Sequence, residues 1–300
     1  MANSTRNVFF EEIHKIMLAD ENVLIVSVDL AGPPFDSIRN EFPDRYIGIG
    51  IAEQNSIAVA CGLASIGKKV IVYAANPFPL LRSFDQIRNC ACMMKMPIAI
   101  VGLGTGFSVA ECGSTHFAIE DIALASICAG LDIISVSDCD IAKAVANLLF
   151  RNDKPIYIRF GKWADEPLGV CGELDFSKGY RVIKKGGDVA ILATGCTVKL
   201  IYDMDLQNVT LIDWFNVSNK KYLIDELKKF KRVVTVEEQL LRGGIGSIVL
   251  EEFNERDIKT PVSRIGLVFK DGYPQEYGDR TYWLETFNIT KKHILEAIKR

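Results

Sequence analysis

The sequence predicts an α/β protein of two doubly wound domains, each a mainly parallel sheet with helices on both faces. Three observations predict it. Apolar, β-branched runs alternate with stretches of helical period along the chain. Those runs read as strands buried on both faces. The regular texture then breaks once, at "GKWADEPLGVCGELDFSKGY", which holds four glycines and a proline without a clear period. A second, smaller α/β series follows it. The expected domains are therefore residues 1–170 and 171–300.

Each element has its own signal. "STRNVFFEEIHKIMLAD" opens on a polar cap, and its apolar residues recur at three and four, as in a helix. "NVLIVSVDL" is a buried strand. "EQNSIAVACGLASIG" is a helix tightly packed through small residues, "KKVIVYAA" a strand and "FDQIRNCACMMKM" a helix. "PIAIVGLG" is a strand that runs into a glycine-rich loop. "HFAIEDIALASICAG" reads as a helix starting near Thr115 and His116. "LDIISVS", "DIAKAVANLLFRND" and "KPIYIRF" complete the first series as strand, helix and strand. In the second series, "GDVAILATG", "NVTLIDWFNV", "LKKFKRVVTVEEQ", "GGIGSIVLEEFNERD" and "VSRIGLVF" repeat the alternation.

The bulk properties narrow the function. Of 300 residues, 49% are hydrophobic and 24% charged, an ordinary soluble composition. The net charge is −3 and no basic block stands out, so nucleic acid is a poor candidate ligand. A small anionic substrate needs only a few placed arginines. Eight cysteines are present and none forms a C-x-x-C pair. With only His14, His116 and His293 beside them, they read as reduced thiols in apolar runs rather than as a metal centre or disulfide framework. The polar, acidic N-terminal stretch is no signal peptide, and no apolar run reaches membrane-spanning length. A cytoplasmic setting is the expectation.

Three stretches can carry chemistry. In "IGIGIAEQN", one carboxylate, Glu53, interrupts a glycine-punctuated apolar run. A helix N-terminus accounts for a glutamate there. A buried acid that holds a heterocycle by one strong hydrogen bond accounts for it too. In "VGLGTGFSVAECGSTHFAIED", a strand ends in a loop with Gly102, Gly104, Gly106 and Gly113, and His116 lies where ligands of open α/β sheets bind. A packed or capping histidine is the alternative. In "NPFPLLRSFDQIRN", Phe78 lies between two prolines just past a strand; Arg82 and Arg88 are either ion-pairing helix residues or anion ligands.

Together these stretches resemble the transketolase family. The matching parts are "RYIGIGIAEQNSIAVACGLASIGKKVIVYA", "FDQIRN" and "GSTHFAIEDIA", with "GDVAILATG" and "TVEEQLLRGGIGS" in the smaller domain. Close relatives of that family are 1-deoxyxylulose-5-phosphate synthase and the β subunits of pyruvate-type dehydrogenases. The resemblance implies a pyrimidine-binding domain followed by a C-terminal domain, and thiamine diphosphate as cofactor. It implies that Glu53 hydrogen-bonds N1′ of the aminopyrimidine and favours the imino tautomer that removes the C2 proton. Phe78 matches the aromatic that stacks on that ring, with Leu80 or Leu81 as alternatives, and Arg82 falls among the cofactor-binding positions. His116 matches a histidine that moves protons beside the substrate. Arg159 in "YIRFGK" falls where relatives bind a substrate phosphate, with a strand-end surface arginine as the alternative. Arg39 is a second phosphate candidate.

The chain also departs from the pattern. Gly104 stands near a family histidine, and Cys112-Gly113 replaces Asp-Gly, so groups that touch sugar hydroxyls are missing. A specialised sugar-modifying substrate is therefore expected. The connection "TGCTVKLIYDMDLQNVTLIDW" is short, which predicts a trimmed outer layer in the smaller domain. Gly-Asp-Gly, which opens the family's Mg²⁺-diphosphate motif, occurs nowhere in the sequence. The expectation is a split enzyme. A partner subunit supplies the Mg²⁺ ligands in an α2β2 heterotetramer, and the pair transfers a two-carbon ketol unit from a ketose to an aldose. A pyruvate-using relative and a non-catalytic binding partner are the alternatives.

Overall fold

The computed structural model of the protein describes residues 4–30, 33–151, 153–162, 167–168 and 174–300. The expected domain boundary at 170/171 and Cys171 lie outside them.

The first sheet has six strands: β1 (Val23–Ser27), β2 (Tyr46–Gly48), β3 (Lys69–Ala75), β4 (Ala99–Leu103), β5 (Asp132–Val136) and β6 (Ile156–Phe160). Their order is β2-β1-β3-β4-β6-β5, and every neighbouring pair is parallel. The chain leaves β1 toward one edge and continues from β3 toward the other. The crevice at the carboxyl ends of β1 and β3 is thus a topological switch point, the usual ligand position in such sheets. The second sheet holds β7 (Tyr180–Lys184), β8 (Val189–Ala193), β9 (Thr210–Trp214), β10 (Arg232–Leu240) and β11 (Val262–Leu267), in the order β11-β10-β8-β9-β7. Only β7 runs antiparallel, against β9.

Both faces of the first sheet are covered. The helix Thr5–Ala19 starts on Ser4, whose hydroxyl accepts from the Asn7 N–H at 3.3 Å. Its buried stripe of Phe9, Phe10, Ile13 and Met17 packs toward β3 and β6, with Phe9 5.1 Å from Phe160. Each such side chain contributes about 1.5–3 kcal/mol by leaving water. On the other face, Ile57, Ala60 and Cys61 of the helix Glu53–Ser65 join a core that continues into β8, β9 and the helix Ile245–Glu255. The two sheets therefore share an apolar interior.

Three local expectations change. Strand β2 was hidden in "RYIGIGI", because its three residues are too few to show a period. The helix expected from residue 84 is α-helical only over Phe84–Gln86 and then widens into a π-helix over Ile87–Met93. The helix expected to begin near His116 begins at Asp121 and ends at Ile127. Residues 114–120 are committed elsewhere: Ser114–His116 form a 3-10 turn, and Ala118 pairs with Gly106 in an antiparallel bridge. In the smaller domain the helix between β8 and β9 is short, Cys196–Asp203. No helix among the described residues is long and apolar enough to cross a membrane. Among the described cysteines, Cys61, Cys92, Cys128 and Cys196 are buried, whereas Cys112 is exposed.

Candidate active site

Loops from the carboxyl ends of β2, β3 and β4 meet at the switch point. After β2, Gly50 turns with φ +71° and the helix Glu53–Ser65 starts on Glu53 itself. The carboxylate therefore belongs to the first turn, at the positive end of the helix dipole. Glu53 is 6% exposed. Its Oε1 accepts a hydrogen bond from Arg82 Nη1 at 2.8 Å, and its Oε2 has no hydrogen-bond partner among the described residues.

Arg82 caps the short helix Phe78–Leu81 and is half-exposed. Its guanidinium lies over the Phe78 ring, with Cζ 4.3 Å from the centroid. The ring of His116 meets Phe78 edge-on at 5.1 Å and 84°. Thus Glu53, Arg82, Phe78 and His116, drawn from three loops, form one continuous line of contacts. The Phe78 loop is fixed from below by Asn76. Its backbone N–H donates to Leu103 O at 2.8 Å, and its buried side chain fits against Gly102, where a Cβ would come within 1.9 Å of Oδ1. Leu80 is fully buried, which removes it as the residue presented to a ligand, and Leu81 is partly exposed.

The loop carrying His116 leaves β4 with Gly104 N and Thr105 N both donating to Phe160 O, at 2.8 and 3.1 Å. Gly104, with φ +103°, supplies a turn rather than a polar group. The Thr115 hydroxyl lies 3.0 Å from His116 Nδ1. Beside this turn is a cavity of about 400 Å³ between the two domains, walled by Ser114, Thr115, Glu120, Tyr273, Gln275 and Tyr277 among others. Burial raises the Glu120 carboxyl above its ordinary range, while a hydrogen bond from the Tyr273 hydroxyl opposes that rise.

Two expected substrate residues are placed differently. Arg159, expected as a phosphate ligand with a surface arginine as the alternative, is not at the surface. It is 3% exposed, and its Nε and Nη2 both bond Asp121, at 2.7 and 3.2 Å. Nη1 donates to Ser135 Oγ at 3.2 Å. Three of its five N–H donors are engaged inside the protein, because β6 is an inner strand covered on both faces. Arg39 is solvent-exposed and pairs with Asp36 one helical turn away, at 2.8 Å; it makes no contact with Glu53 or His116. Arg88 bonds its neighbour Asn89 at 2.7 Å.

Sequence reasoning missed the polar core beneath the site. Asp121, Tyr157 and Arg159 form a buried network, with the Tyr157 hydroxyl 2.8 Å from Asp121 and 3.0 Å from Asn76. The acidic pair Glu120-Asp121 at a helix start was its only signal. Glu237 was also missed: both its oxygens accept N–H groups of Ile245 and Gly246, at 2.7 and 3.0 Å, and burial pushes its carboxyl up to about 8.

The arrangement can be set against known proteins. The family described as "Transketolase, pyrimidine binding domain" matches residues 2–164 and "Transketolase, C-terminal domain" matches residues 179–294. The chain belongs to the transketolase family. The family depends on thiamine diphosphate. A protein of Actinobacillus succinogenes, named as one subunit of an apulose-4-phosphate transketolase, is 31% identical over 86% of this chain and 83% of its own length. The 1-deoxy-D-xylulose-5-phosphate synthase of Clostridium acetobutylicum is 30% identical over 86% of this chain, which spans only 43% of that enzyme. A solved structure described as a split gene transketolase, an inactive beta4 tetramer, superposes with a TM-score of 0.82 at 24% identity, covering 100% of this chain and 98% of that one. That likeness establishes the two-domain fold.

Proposed function

We propose that this chain is the C-terminal subunit of a split, thiamine-diphosphate-dependent transketolase. It transfers a two-carbon ketol unit from a ketose or ketose phosphate to an aldose, in specialised sugar metabolism in the cytoplasm. Residues 1–170 are the pyrimidine-binding domain and residues 171–300 the C-terminal domain. The observation that carries this reading is Glu53: a buried carboxylate at a helix start, with one oxygen open, linked through Arg82 to an aromatic ring and a histidine.

These residues fit an aminopyrimidine. A flat, protonated heterocycle needs one acidic acceptor and one ring to lie on. The guanidinium of Arg82, itself flat and protonated, already makes both contacts, bonding Glu53 and lying on Phe78. Bound thiamine diphosphate supplies the carbanion-stabilising chemistry. Within the chain, Glu53 accepts the N1′ hydrogen bond and shares its proton. Phe78 stacks on the ring, and Arg82 fixes one oxygen of Glu53 in a cofactor-binding role. His116 holds or moves a proton at a substrate oxygen. Because Arg159 is occupied by Asp121 and Arg39 lies apart, neither is retained as a phosphate ligand. The Mg²⁺ and diphosphate ligands are assigned to a partner subunit, in an α2β2 assembly.

The test is calorimetry of the purified chain with thiamine diphosphate and Mg²⁺, alone and with the product of an adjacent reading frame. Binding and ketol transfer are expected only for the pair. Tight binding and turnover by the lone chain would sink the split-subunit reading. Offering pyruvate in place of the donor ketose separates the synthase-like alternative, and absence of turnover with every donor favours a non-catalytic partner.

A further inference from the structure

We propose that Glu238, held by Arg280, is a positioning residue for His116: through it the smaller domain sets the geometry of the histidine loop. This rests on the role given to His116 above. The loop has two legs, residues 104–107 leaving β4 and residues 118–120 entering the next helix. They are joined by the bridge between Gly106 and Ala118, at 2.9 and 3.1 Å. His116 sits two residues before Ala118.

The carboxyl end of β10 grips both legs. Glu238 Oε2 accepts from the Phe107 N–H at 3.2 Å. Gln239 Nε2 donates to Ala118 O at 2.9 Å, and the Leu240 N–H donates to Ile119 O at 3.0 Å. Gly106, with φ +58°, is what lets the first leg come so close, since a Cβ there would lie 2.6 Å from Glu238 Cβ. Glu238 is 3% exposed, and Arg280 Nε lies 3.1 and 3.2 Å from its two oxygens. Just beyond Arg280, Trp283 packs edge-on against Phe117, the neighbour of His116, at 5.2 Å.

Packing alone does not require this pair. Apolar side chains of similar volume fill such a space about as well. What a hydrocarbon cannot do is accept the Phe107 N–H and so fix one leg relative to the other. Small displacements of a reacting group reduce rates steeply, about a hundredfold for an ångström. A carboxylate aimed at the loop backbone therefore acts on His116 without touching substrate.

The three histidines of the chain, His14, His116 and His293, make the test direct. Histidine ring resonances are recorded by NMR for the full chain and for two variants. The first is Glu238→Met with Arg280→Met, which keeps the space filled. The second is Gln239→Leu, which leaves Ala118 O still bonded to Gly106 N. The His116 signal is expected to move by more than its line width in both, more in the first, with His14 and His293 unmoved. In the assembled enzyme, transfer kcat is expected to fall ten- to a hundredfold, on the order set by such displacements. Thiamine diphosphate affinity and cofactor C2-proton exchange, which depend on Glu53, stay unchanged. Glu238→Gln, which keeps an oxygen for the Phe107 N–H, restores part of the rate. A His116 signal unmoved in both variants, or exchange falling in step with transfer, overturns the proposal. If no thiamine-dependent turnover occurs at all, the functional reading fails, and the resonances still decide the clamp.

Discussion

Glu53 and Asp121 each stand at the first position of a helix, and each meets an arginine, at 2.8 and 2.7 Å. Around Asp121 the arginine is 3% exposed, and both carboxylate oxygens are filled by Arg159 and Tyr157. Around Glu53 the arginine is 50% exposed, and one oxygen stays open. A carboxylate–arginine pair at the same helical position thus serves two ends. A closed pair has no bonding capacity to give a ligand, and its partners hold layers of the fold together. An open pair, with its arginine half in water and one carboxylate oxygen unused, keeps bonding capacity for a ligand.

The largest effect that tests this contrast is on chemistry. Glu53→Ala in the assembled enzyme is expected to slow C2-proton exchange about 10²- to 10⁴-fold, the range for a positioned acid–base group, with assembly intact. Exchange at the normal rate, followed by loss of the cofactor C2 signal in deuterated water, would reject the role of Glu53. Next is a stability effect. Asp121→Ala strands a buried guanidinium and is expected to lower unfolding free energy by about 3–5 kcal/mol in urea titrations. A loss below about 1 kcal/mol would put this pair in the class of surface ion pairs and break the comparison.

A third arginine refines it. Arg181 is shared by Asp138 and Asp213, at 2.7 and 3.0 Å, and so cannot fully neutralise either. Asp213 is buried, its Oδ1 has no hydrogen-bond partner among the described residues, and burial raises its carboxyl from 3.8 to about 6. Between those values the folded chain holds a proton that the unfolded chain has released. Stability from this group therefore falls as pH rises from about 4 to 6, by about 3 kcal/mol at 1.36 kcal/mol per pKa unit. Asp213→Asn is expected to flatten that part of the stability–pH curve; an unchanged slope would contradict it. The smallest effect is at the open pair. Arg82→Ala is expected to change the stability of the lone chain by less than about 1 kcal/mol, since its charge is half in water. A drop as large as that for Asp121→Ala would mean that Glu53 depends on Arg82 to stay buried.

Legibility followed how local each signal was. Strands such as "KKVIVYAA" and "PIAIVGLG" carry their period within a few residues, so β3 and β4 could be placed directly. The helix after His116 could not be. Its apparent start is spent on the bridge between Gly106 and Ala118, a pairing twelve residues apart that no local pattern encodes. Phe78, Arg82 and His116 were visible as residue types at loop positions, but their contacts with one another were not. Arg159 was misplaced for the converse reason. Its residue type and motif fit a ligand, but its partner Asp121 lies 38 positions earlier and becomes a neighbour only when β6 and the helix Asp121–Ile127 pack.

By itself, the sequence determined the α/β class, the order of strands and helices, and a carboxylate that had to find a partner at a helix start. Periodicity and the helix dipole are properties of short segments, and short segments are what a sequence displays. Tertiary structure alone decided which arginine each carboxylate received, which of those pairs was sealed, and that β10 of the smaller domain grips the histidine loop of the larger one. Those outcomes depend on distances between residues far apart in the chain, and on how much water the packing leaves beside each charge.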